Sequence, residues 1–138
     1  MKEFLKNRDH DLLASASQVI GRRRAEKRPL RLAEIALEAS LSPAPHYYLT
    51  FDYAYRQIRR MRRDPEALKG DSLKALQMRE ILDHVNRLKS ASEGNLSDND
   101  ALTRVLASSK ASRFFISEAY AVKLVRRLIY KPSKNTRK

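Results

Sequence analysis

The chain has 138 residues, 42% of them apolar, enough for a hydrophobic core and for a single domain of ordinary size. It has no cysteine, which excludes disulfides, thiolate metal sites and a cysteine nucleophile, and which fits a reducing cytoplasm. Twenty-nine Lys and Arg against sixteen Asp and Glu give a net charge of +13, shared almost evenly between residues 1–70 and 71–138, and such an excess repels itself unless a polyanion neutralises it.

The start, MKEFLKNRDHDLL, is too polar for a secretory signal, and no apolar run approaches the ~18 residues of a membrane span. Apolar residues recur at spacings of three and four, so the elements read as helices. A first helix is expected at about 8–26, with Leu12, Leu13, Ala16, Val19 and Ile20 inward and Gly21 weakening it locally. Pro29 separates it from a short helix at about 31–40 that buries Leu32, Ile35 and Ala36. Pro43 and Pro45 then exclude helix and favour an extended path through LSPAPHYY. Thr50 suits the N-cap of a third helix at about 51–63. Asp64-Pro65 and Gly70 mark a hinge. A fourth helix is expected at about 72–91, a fifth at about 98–108 capped by Ser97, and a sixth at about 118–130 capped by Ser117. Residues 131–138, KPSKNTRK, read as a flexible basic tail carrying Lys131, Lys134, Arg137 and Lys138.

One pattern orders all of this. HYYLTFDYAYRQIRRM at 46–61 returns as RFFISEAYAVKLVRRL at 113–128. Tyr53/Tyr120, Ala54/Ala121, Arg59/Arg126 and Arg60/Arg127 are identical, and most other positions keep their chemistry. The match extends upstream: Asp11-Leu12-Leu13 and Val19 correspond to Glu80-Ile81-Leu82 and Leu88 at an offset of 69, and Ala44 to Ala111 at 67. The difference implies two residues lost from the linker between the first two helices of the second copy. The expected fold class is therefore all-α: about six helices as two tandem three-helix repeats, 8–63 and 72–130, related by pseudo-two-fold symmetry and sharing one core within a single domain 1–138. Short β segments fit at 47–49 and 114–116, which would pair or pack with each other.

The strings SPAPHYYLT and SKASRFFIS resemble a motif of small uncharacterised bacterial proteins of the Bacteroidetes type, Pro-Ala-x-Arg-Phe-aromatic-Val/Ile-Ser followed by a helix. The second copy supplies Ala111, Arg113, Phe114, Phe115, Ile116 and Ser117 but has Lys110 in the proline place. The first has Pro43 and Ala44 but His46 in the arginine place. The resemblance covers about a quarter of the chain and implies no activity.

Candidate functional residues are cations. On the third helix Arg56, Arg59, Arg60 and Arg63 fall opposite the apolar stripe, and on the sixth Lys123, Arg126 and Arg127 occupy matching places. Such a stripe is the electrostatic footprint of nucleic-acid binding, although cations near a helix C-terminus also serve the macrodipole. Arg22, Arg23 and Arg24, followed by Lys27 and Arg28, form another cluster with no counterpart in SASEGNLSD, so the first copy is expected to dominate any binding face. The plain alternative for each run is solvated surface. Tyr47-Tyr48 and Phe114-Phe115 could stack on bases but read better as core, and Tyr53 and Tyr120 as half-buried. His10, His46 and His84 are scattered, no glycine-rich phosphate loop or metal motif occurs, and Asp98 and Asp100 read as helix-start residues. Neither cofactor nor catalysis is expected. The reading is a non-enzymatic nucleic-acid-binding protein, with duplex DNA favoured over RNA. The alternative is a protein-interaction or structural module, of phage or mobile-element type, whose basic face meets an acidic protein. A membrane partner ranks low.

Overall fold

The computed structural model describes residues 2–130, all-helical apart from its connections. Six helices follow in order: α1 (Glu3–Ala25), α2 (Leu32–Ser40), α3 (Phe51–Arg63), α4 (Leu73–Ala91), α5 (Asp98–Ser108) and α6 (Glu118–Ile129). The expected basic tail, 131–138, lies outside the described residues. Four helices open on side-chain caps: Thr50 accepts from the Tyr53 amide, Ser72 from Ala75, Ser97 from Asp100 and Ser117 from Tyr120, at 3.0–3.2 Å. α1 begins five residues earlier than its periodicity suggested. Phe4 is half-buried against the core, and Arg8 lies over the Tyr120 ring at 5.2 Å while Asp9 accepts from the Tyr120 hydroxyl at 2.8 Å. These contacts hold a first turn whose own sequence is polar. α1 also runs unbroken through Gly21.

The two copies are not self-contained. α1 and α2 pack on each other and on α6, whereas α4 and α5 pack on each other and on α3. The third helix of each repeat therefore lies on the first two helices of the other repeat, an exchange that the shared core expected from the sequence did not specify. Pro43 and Pro45 keep 41–50 out of helix, and this stretch of turns and bends leads α3 away from α2; the second connector, 109–117, does the same for α6 without a proline. The two connectors cross at Ala44 and Ala111, whose backbones exchange both hydrogen bonds, 3.0 and 2.9 Å, in an antiparallel bridge. That bridge replaces the β segments expected at 47–49 and 114–116. Those residues instead turn their side chains into the core, where pairing by a backbone ladder gives way to ring packing: Tyr47, Tyr48 and Phe114 are buried, and the Tyr48 and Phe114 rings stack at 6.1 Å. One hydrophobic cluster takes side chains from all six helices and both connectors.

The copies also differ in length where the sequence placed a shorter linker. Ala25 ends α1 14 residues after Asp11, while Ala91 ends α4 11 residues after Glu80. The difference is one helical turn, not a linker deletion, and the extra turn carries Arg23 and Arg24.

Buried phenols tie the connectors to the long helices. Tyr47 donates to Glu80 at 2.6 Å and Tyr48 to Asp11 at 2.5 Å. Burial, and then the adjacent carboxylate, pushes both phenols well above the ordinary tyrosine value. A raised folded-state pKa contributes stability that is complete below the unfolded value near ~10 and is lost as pH rises above it. In an alkaline titration followed at 295 nm, Tyr47 and Tyr48 will ionise only as the far-ultraviolet helical signal disappears. Full phenolate absorbance from all six tyrosines with helicity intact would contradict this packing.

Candidate nucleic-acid interface

α3 divides cleanly into faces. Ala54, Ile58 and Met61 are buried against α4 and α5, and Arg56, Arg59, Arg60 and Arg63 are exposed. α6 repeats the arrangement with Ala121, Leu124 and Val125 inward and Lys123, Arg126 and Arg127 exposed. Leu128, which by the repeat matches the buried Met61 and would be expected inward, is 37% exposed in the last turn of α6. Among the described residues, none of these seven cations has a carboxylate within salt-bridge distance, whereas ten such pairs form elsewhere.

The arginine cluster on α1 has a different character. Arg23 is only 6% exposed, and its guanidinium is held by Glu34 at 3.1 Å, Glu38 at 3.2 Å and the Pro29 carbonyl at 3.3 Å. It clamps α2 onto the end of α1 and is not offered to a ligand, which removes it from the expected binding set. Arg22 spends its charge on Glu38 at 2.9 Å, and the Arg22 guanidinium, ahead of Arg23, holds that carboxyl below its ordinary value. Arg24 alone of the three is exposed with no carboxylate partner. The cluster was also expected to reinforce the α3 stripe. α1 packs on α2 and α6 and not on α3, so Arg24 lies on a helix that does not touch the α3 stripe.

The α3 stripe has neighbours that the sequence did not reveal. Arg62, outside the expected set, donates to Asp98 at 3.2 and 2.8 Å and to Asn86 at 2.7 Å, and Lys89 donates to the same Asp98 at 2.9 Å. The Arg62 guanidinium beside Asp98, assisted by Lys89, holds its carboxyl down to about 2, so Asp98 is ionised at any ordinary pH. Arg59 lies over the Tyr55 ring at 5.8 Å, and Tyr55 stacks in turn on Phe51 at 5.5 Å. Together Tyr55, Arg59, Arg62, Arg63, Lys89 and Asp98 line a surface cleft of about 420 Å³. No family model, curated protein or solved structure matches this chain.

Proposed function

We propose that the protein is a non-enzymatic module that binds duplex DNA through the exposed face of α3, with the α6 face as a second, weaker contact. The observation that carries this reading is the row Arg56, Arg59, Arg60 and Arg63, exposed and without carboxylate partners in a chain of net charge +13. From Arg56 to Arg63 the helix rises about 10 Å, a distance over which duplex DNA presents about six phosphate charges. Phosphate contacts of this kind position a protein on DNA without reading its sequence, so the binding is general. The aromatic pairs that could have stacked on bases are engaged in the core, which favours a duplex backbone over unpaired bases.

The test is the salt dependence of binding to a labelled duplex. Four phosphate contacts give a slope of about −3.6 in log affinity against log salt, so raising salt from about 50 to about 200 mM weakens binding by about a hundredfold. Affinity that changes less than about threefold over that range, or no binding at its low end, would overturn the reading in favour of an acidic protein partner.

A further inference from the structure

The duplication supplies an internal comparison. Counting by the offsets of each segment, the places of Tyr55, Arg59, Arg62 and Arg63 on α3 are held on α6 by Val122, Arg126, Ile129 and Tyr130. Lys89 of α4 corresponds to Ile20 of α1 at the offset of 69, and Asp98 corresponds to Leu32 by place in the helix, each being the first residue of its element, α5 and α2. In one half, therefore, these places at the end of the third helix and on the two helices it packs against are held by Ile129, Ile20 and Leu32, all packed in or against the core. In the other half the same junction is built from Arg62, Lys89 and Asp98, rimmed by Arg59 and Arg63. A scaffold that closes this junction with three apolar residues has no structural need for Arg62, Arg63 and Lys89 there; the fourth cation, Arg59, is matched by Arg126.

We propose that the cleft lined by Tyr55, Arg59, Arg62, Arg63 and Lys89 is a discrete phosphate subsite. Asp98 fixes Arg62 and Lys89 in place by its two ion pairs but neutralises only one of the four positive charges. Arg59 and Arg63 remain uncompensated at the same cleft, with the Tyr55 hydroxyl 3.5 Å from Arg59 Nη1. Three net positive charges around a hollow, with two of the donors immobilised, suit the oxygens of a phosphate group, a singly charged backbone diester or a doubly charged monoester, better than a lone carboxylate. Resting on the nucleic-acid reading, the subsite anchors one backbone phosphate at the end of the α3 stripe and sets its register; a free phosphorylated ligand would use the same chemistry.

Calorimetric titration of the full chain with inorganic pyrophosphate tests the subsite, with duplex affinity measured on the same samples. The wild type is expected to take up one pyrophosphate saturably. Arg59→Gln with Arg63→Gln is expected to weaken that uptake at least tenfold. Lys6→Gln with Lys110→Gln removes the same charge from exposed places outside both stripes and is expected to change it less than twofold. Equal losses in the two double variants, or no saturable uptake by the wild type, would overturn the subsite. Duplex binding without pyrophosphate uptake would remove the subsite and leave the DNA reading standing. Pyrophosphate uptake without duplex binding would keep the subsite, assign it to a free phosphorylated ligand, and remove the DNA reading.

Discussion

Replacing Arg56, Arg59 and Arg60 together with glutamine is expected to lower duplex affinity by two to three decades at about 0.1 M salt. Each lost phosphate contact removes about 0.9 from the salt slope, and three remove about 2.7. All three side chains are exposed and lack carboxylate partners, so stability should change by only ~0.5 kcal/mol. The parallel substitution of Lys123, Arg126 and Arg127 is expected to cost less. The reason is not the α1 arginine cluster, which is on a helix that does not pack on α3 and has Arg23 buried. It is that α3 has Arg63 and the Arg62–Lys89 cleft beside it, so its stripe meets more phosphates at once. Parallel binding isotherms of the two triple variants, each with a melting curve, decide the matter. Losses that are equal and below about threefold would make both stripes solubilising surface.

Glu80→Ala is expected to destabilise the fold by about 3 kcal/mol and to lower the melting temperature by about 10 °C. Glu80 on α4 accepts from the Tyr47 hydroxyl at 2.6 Å, from the Ser112 amide at 2.9 Å and from the Ser112 hydroxyl at 2.5 Å. It thus ties one long helix to both crossing connectors. Burial alone would raise its carboxyl; the bonds from Ser112 and Tyr47 outweigh that and hold it below the ordinary value. Alanine leaves a buried phenol without a partner, and hydrogen bonds to an ionised acceptor contribute more than neutral ones. Tyr47→Phe alone removes one bond, about 1 kcal/mol, and the double variant should cost less than the two single losses added. A Glu80→Ala protein that melts within about 2 °C of the wild type would show that the connectors are held by ring packing alone.

The elements were legible because their signals are local. Thr50, Ser97 and Ser117 announce helix starts, Pro43 and Pro45 a break, and the stripe of Ala54, Ile58 and Met61 an inward face. The aromatic pairs read as core because bulky rings beside a cap have few other places to go, and three of the four rings are buried. What stayed hidden is long-range. A repeated sequence is equally consistent with third helices kept or exchanged, and the prolines do not decide it, since the second connector exchanges its helix without one. Arg23 looked like its neighbours because its partners, Glu34 and Glu38, lie on the next helix. Arg62 escaped notice between Met61 and Arg63 because Asp98, which gives it a role, is 36 residues away.

Binding through α3 requires a duplex to lie along that helix. Amide chemical-shift mapping of the isotope-labelled chain, titrated with a short duplex at low salt, locates the contact directly. The expected result is a set of shifts concentrated on α3 and on the cleft residues Lys89 and Asp98, with smaller shifts along α6. Shifts confined to the outer faces of α1 and α2, or none at saturating duplex, would contradict it.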